Sequence, residues 1–99
     1  MNVVEKHILE FTSLCNIYKV EKIYLFGSAL SPDFKETSDI DFLVQFKISE
    51  IGDYFDNYLD FKESLIALFD REVDLLEEQS LRNPILINSI NKSKELVYG

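Results

Sequence analysis

Two acidic residues, Asp39 and Asp41, follow the dipeptide Gly27-Ser28 after a gap of ten residues, and both pairs adjoin apolar runs. If residues 39–44 form a strand, alternation puts Asp39 and Asp41 on one side and Ile40 and Phe42 on the other. Carboxylates held that close repel each other, and an oxygen-seeking cation such as Mg²⁺ turns the repulsion into coordination. Gly27 and Ser28 end the apolar run 23–26, which reads as a buried strand. A turn without a side chain at Gly27 exposes backbone N–H groups, and the Ser28 hydroxyl adds a donor, so this turn can hold phosphate beside the metal. Metal-assisted nucleotide chemistry is what these residue types suggest.

Positioning such a site takes a sheet with covered faces. Val4, Ile8, Phe11 and Cys15, with Leu14 beside them, recur at helical spacing, so residues 3–15 should form an amphipathic helix against the sheet. Residues 20–26 read as a central strand ending at Gly27, with a short helix over 28–30 and a bend at Pro32 within a polar loop, 31–38. Tyr54, Tyr58, Phe61, Leu65 and Leu68 form one stripe, with Phe55, Leu59, Ile66 and Phe69 beside it, predicting a long helix over 53–69 capped by Asp53 and ended at Asp70-Arg71. A strand over 72–76 follows, and a helix between two strands permits a crossover. Asn83-Pro84 reads as an N-cap followed by proline at the first helical position, opening a helix to about residue 91 before a terminal strand over 95–98. Cys15 and the Tyr54, Phe55, Tyr58 and Phe61 cluster are expected in the core, His7 as a partly exposed helix residue, and Asp70-Arg71-Glu72 and Glu77-Glu78 as solvated charges.

Composition narrows the function. With 99 residues the chain is one domain, 1–99, with room for one core and none for a separate substrate-recognition domain. Acidic residues outnumber basic ones 18 to 10, a net charge of −8 that opposes attraction to nucleic acid phosphates, so no direct nucleic acid partner is expected. A single cysteine allows no internal disulfide, Glu5, Lys6 and Glu10 break up any signal-like apolar run, and no apolar stretch approaches the roughly 20 residues that span a bilayer. A cytoplasmic protein is the expectation, with no membrane partner.

The combination of Gly27-Ser28, ten residues, and Asp39-Ile40-Asp41 resembles the signature of the minimal nucleotidyltransferases of the DNA polymerase β-like superfamily. Gly-Ser or Asp-x-Asp alone says little, but the two at this distance, with strands on either side, are specific. Asp74 in Val73-Asp74-Leu75-Leu76 stands where the family carries a third acidic residue. Arg82-Asn83-Pro84, Ile90 and Leu96-Val97-Tyr98-Gly99 are similar to the family's usual ending, so the likeness spans nearly the whole chain.

That resemblance implies an α/β fold, a small mixed sheet flanked by helices. It implies ATP as substrate, two Mg²⁺ ions held by Asp39, Asp41 and Asp74, Asp74 aiding deprotonation of the acceptor, and Gly27 and Ser28 gripping the β and γ phosphates. Many such domains are encoded beside a HEPN-type RNase toxin and act as its antitoxin, some by transferring AMP to a toxin tyrosine. The expected role is therefore the transferase of a type II/VII-like toxin–antitoxin pair, working as a homodimer or in a hetero-oligomer. Family members commonly carry an Arg and a further Gly after the Gly-Ser, where this chain reads Ala29-Leu30-Ser31-Pro32-Asp33, leaving Lys35 as the nearby basic residue. Two alternatives accompany this reading: a non-catalytic antitoxin acting by occlusion, and a nucleotidyl-transferring subunit that modifies a small molecule with a separate substrate-binding chain.

Overall fold

Apolar residues at every second position from Ile40 to Phe46 require one face of that segment to be buried. In the computed structural model, which describes residues 2–30, 34–35 and 38–99, with the backbone alone at Ser28 and Ala29, this segment lies inside a four-stranded sheet. The strands are β1 (Val20–Phe26), β2 (Ile40–Phe46), β3 (Val73–Glu77) and β4 (Glu95–Tyr98), in the order β3-β2-β1-β4. β1 runs antiparallel to β2 and to β4, whereas β2 and β3 are parallel, so the sheet is mixed. The parallel pair needs a crossover, which α2 (Tyr54–Phe69) provides.

One face of the sheet is closed by α1 (Ile8–Ile17) and α2. Phe11 and Cys15 of α1 and Phe61, Leu65 and Phe69 of α2, each four residues apart along its helix, meet Ile40, Phe42, Val44 and Phe46 in a continuous core. The Phe42, Phe11 and Phe69 rings form a triangle, with Phe42 5.8 Å from Phe11 and 5.9 Å from Phe69 and the latter two 6.1 Å apart. Asp53 caps α2 by accepting from the Asp56 N–H at 3.1 Å, and Asp70, in the left-handed region at φ 53°, stops it. α3 (Pro84–Ser93) is opened by Asn83, whose side-chain Oδ1 accepts from the Ile85 and Leu86 N–H groups. Its one buried residue, Ile90, stands apart from the core cluster together with Leu43, whose side chain alternation turns away from Phe42 and Val44.

Several details differ from expectation. The first helix is later: Asn2 accepts from the Val4 and Glu5 N–H groups, and the chain makes a 3-10 turn at Glu5–His7 before α1 begins. His7 is partly exposed, as expected, with its ring edge-on to Phe69 at 5.6 Å. β2 begins at Ile40, so Asp39 precedes the strand. Phe55 is 67% exposed because it lies one helical step beyond Tyr54, on the solvent side of α2, so that member of the aromatic cluster is not core. Glu77 is half-buried and accepts from the Tyr54 hydroxyl. The expected bend at Pro32 and most of the polar loop lie outside the described residues.

Candidate active site

Asp41 is the second residue of β2, flanked by the fully buried Ile40 and Phe42, so the core fixes its backbone while its side chain projects from the opposite face. Register brings two neighbours to it. Phe26, the last residue of β1, lies opposite on one side, and Asp74 of β3 lies opposite on the other. Asp41 and Asp74 thus occupy matching positions on adjacent strands, about 4.8 Å apart in the hydrogen-bonding direction, and project from the same face. Asp41 is half-buried, Asp74 exposed, and Asp39 exposed just ahead of β2.

Gly27 follows Phe26 at φ 66°, where a side chain is strained, and leads into the 3-10 turn Gly27–Leu30. A Cβ there would lie 2.6 Å from Asp41 Oδ2. The absence of a side chain therefore lets the Asp41 carboxylate lie against the turn, where phosphate would meet both. The Ser28 side chain lies outside the described residues.

A residue read from sequence as a solvated charge has a positioning role. Arg71, just after the stop of α2, donates from one guanidinium nitrogen to the carbonyls of Lys35, at 3.1 Å, and Ser38, at 3.2 Å, and its guanidinium lies 4.9 Å from the Phe34 ring centroid. Ile40 then donates to the Glu72 carbonyl, starting the parallel ladder. Arg71 thereby braces the segment that delivers Asp39. An isolated Phe34 in an otherwise polar stretch was the signal for this, since such a ring needs a partner.

The edge strand bearing Asp74 is held from the other side. Tyr58 donates to the Leu75 carbonyl at 2.6 Å and Tyr54 to Glu77 at 2.5 Å, with Gln79 donating in turn to Tyr54. Burial pushes both phenols above their ordinary value, reinforced by the Glu77 charge and, at Tyr58, by Asp74 as well.

Among the described residues no three His, Cys, Asp or Glu side chains are gathered tightly enough to hold a metal ion as they stand. The donors still suit one: Asp39, Asp41 and Asp74 are all carboxylates, the oxygen ligands Mg²⁺ takes, and Asp41 and Asp74 lie opposite each other on adjacent strands. No helix among the described residues is long and apolar enough to cross a membrane.

Known proteins are similar to this chain in sequence and fold. The family model of polymerase β nucleotidyltransferases matches residues 10–99. A candidate protein adenylyltransferase of Methanocaldococcus jannaschii is 37% identical over 81 residues, covering 82% of this chain and 78% of the relative. A second from the same organism is 32% identical over 103 residues, covering 97% and 90%. Among solved structures, a candidate minimal nucleotidyltransferase superposes with a TM-score of 0.73 at 25% identity, covering 96% of this chain and 95% of that one. A chain from the complex of a tri-AMPylated Shewanella oneidensis HEPN toxin with an MNT antitoxin superposes with a TM-score of 0.62 at 25% identity, covering 96% and 69%. The chain belongs to the polymerase β nucleotidyltransferase family.

Proposed function

We propose that this protein transfers AMP from ATP to a hydroxyl, that of a tyrosine, on a HEPN-type RNase toxin and so neutralises it as the antitoxin of the pair. The observation that carries this reading is the register pairing of Asp41 with Asp74 on the open sheet face, flush against Gly27. The names of the relatives, protein adenylyltransferases, and the AMPylated toxin in the Shewanella oneidensis complex support the same acceptor class.

In the reaction the acceptor oxygen attacks the α-phosphorus of ATP. A new O–P bond forms, the bond from the α-phosphorus to the bridging oxygen breaks, and pyrophosphate leaves. The hydroxyl proton passes to Asp74 or to water. Asp39, Asp41 and Asp74 would hold two Mg²⁺ ions, which supply charge stabilisation to the attacking and leaving oxygens. The turn at Gly27 and Ser28 would grip the β and γ phosphates through backbone N–H groups. Net charge −8 and three site carboxylates repel a bare triphosphate, so nucleotide and metal should bind together.

The test is incubation with Mg²⁺, ATP labelled in its α-phosphate and adenine, and the HEPN-type protein encoded beside it. Label on the partner that disappears with Asp41→Asn or on chelation supports the reading. A stable, inactive toxin complex without label would replace it with occlusion, the alternative favoured by the absence of an arginine soon after Ser28. Label on an aminoglycoside-like small molecule instead would point to the third reading.

A further inference from the structure

α1 and α2 cover the sheet with their inner faces only. They run antiparallel, with His7 against Phe69 at one end and the Tyr18 carbonyl accepting from the Asn57 amide at the other. Their outer faces flank a groove of about 670 Å³, lined by Leu9, Ser13 and Leu14 from α1 and by Ser64, Ala67 and Leu68 from α2. Its edge is apolar where a solvated helix carries polar groups: Leu9 is 81% exposed and Ile17, at the far end of α1, 60%. Each stands four residues from Ser13, so leucine, serine and isoleucine follow one another along one ridge at intervals of about a turn. That ridge is its own complement. Turned end for end about Ser13, it sets Leu9 against Ile17 at both ends, and the small serine lets two helix backbones approach where they cross. Charge follows the same symmetry. Lys6 lies before the N-terminal end of the ridge, and Asp60, three residues after Asn57 and four before Ser64, lies toward the other end. The same half-turn brings each lysine toward the opposite aspartate and each Glu10 toward the opposite Asn16, keeping like charges apart.

We infer that this groove is the interface of a homodimer, in which a second copy of the chain lays its α1–α2 face on the first with the two α1 helices antiparallel. A four-helix layer then lies between two sheets. What selects a second copy over another helical partner is the two-fold match of Leu9 with Ile17 and of Lys6 with Asp60, which only this chain's own α1–α2 face supplies twice. A two-fold contact closes on itself, so association stops at two. With α1 about 15 Å long and packed helices 8–10 Å apart, the face measures about 20 Å each way and buries on the order of 1,000 Å² in all, the low end for a specific interface. Two copies of charge −8 also repel, so the dimer should be reversible, with a Kd in the micromolar range. Asp41 and Asp74 project from the opposite face of the sheet, so both carboxylate sites stay open and point away from each other. The dimer does not depend on the chemistry proposed for those carboxylates.

Sedimentation equilibrium of the full chain from about 1 µM to about 1 mM gives the test, with melting curves to show that each variant folds. Leu9→Glu should weaken the dimer by about a hundredfold or more, since a two-fold interface loses the contact twice, and at 81% exposure the change should leave the fold intact. Lys6→Glu should weaken it several-fold, and Lys6→Glu with Asp60→Lys should restore it. Ser13→Cys should form a disulfide-linked dimer on mild oxidation, whereas the wild type, whose Cys15 is buried, and an Asn91→Cys control on α3 should not. A chain that stays monomeric throughout overturns the inference, as does a dimer indifferent to Leu9→Glu. A monomer whose binding to the co-encoded protein is lost in Leu9→Glu would give the groove to that partner and overturn the homodimer equally. Loss of AMP transfer with the dimer intact would count against the carboxylate reading alone.

Discussion

The two faces of the sheet do different work with the same strands. On one, Ile40, Phe42, Val44 and Phe46 are sealed beneath α1 and α2. On the other, Asp41 and Asp74 face an open surface that α3 covers only from Leu43 onward. The division runs residue by residue: Asp41 sits between two fully buried neighbours, so the core side fixes its backbone without using its side chain. Stability and chemistry should therefore be separable by substitutions one position apart.

The largest effects test that separation directly. Phe42→Ala removes a ring packed against both Phe11 and Phe69 and should cost about 3–5 kcal/mol, a large share of the roughly 5–15 kcal/mol that holds a small domain together. Asp41→Asn keeps the shape and should leave stability within about 1 kcal/mol while slowing AMP transfer by about 10²- to 10³-fold or more. Urea denaturation and the transfer assay on both proteins measure this. An Asp41→Asn protein as unstable as Phe42→Ala would show that the carboxylate belongs to the framework as well.

Gly27→Ala strikes where the two faces meet, at the end of β1. The new methyl would lie 2.6 Å from Asp41 Oδ2 and would sit at φ 66°, which costs an L side chain about 1–2 kcal/mol. Either the turn or the carboxylate must move. Transfer should fall by about 10²-fold, the scale on which a 1 Å misplacement is felt, with a loss of stability well below that of Phe42→Ala. Unchanged activity would mean that the contact between turn and carboxylate is incidental.

The core side was the more legible face from sequence because burial imposes periodicity. Repeats of two along β2 and of three and four along α1 and α2 located Phe42, Phe11, Phe61 and Leu65, and the Asn83-Pro84 cap located the start of α3. The outward placement of Asp41 and Asp74 was legible for the converse reason, since carboxylates next to apolar residues have no place inside. The fine boundaries were not, since the 3-10 turn before α1 depends on where Asn2 points, and the exposure of Phe55 depends on a single helical step. Arg71 escaped because its role lies in carbonyl groups more than thirty residues earlier, and no local pattern encodes such a contact.

Arg71 supplies the next test, since its contacts reach the open face from the end of α2. Arg71→Ala removes two charge-assisted bonds to carbonyls and a stacking contact with Phe34, and should cost about 1–2 kcal/mol. The segment before Asp39 would loosen and transfer should fall about tenfold. Arg71→Lys keeps the charge but has no planar guanidinium to lie over the Phe34 ring, so it should recover only part of the loss. Full recovery by lysine would assign Arg71 a role through charge alone and end the bracing account.

The smallest effect concerns how the closed side holds the edge strand that carries Asp74. Because Ile40 bonds to the Glu72 carbonyl, alternation along β3 turns the Leu75 carbonyl away from β2, and the Tyr58 hydroxyl satisfies it. Tyr58→Phe should cost about 1 kcal/mol at neutral pH. The same phenol titrates above its ordinary value of 10.0 in the fold, and burial pushes the Cys15 thiol up to about 12 from 9.0. Between the ordinary and the raised values the unfolded chain releases protons that the folded chain retains, so stability is full below about pH 9 and falls as pH rises further. Tyr58→Phe removes one contributor to that decline, and its deficit relative to wild type should narrow toward about pH 10.5. Urea midpoints for the two proteins across that range decide the matter: parallel curves would mean that the phenol titrates alike in both states and that its bond to β3 is weaker than its geometry indicates.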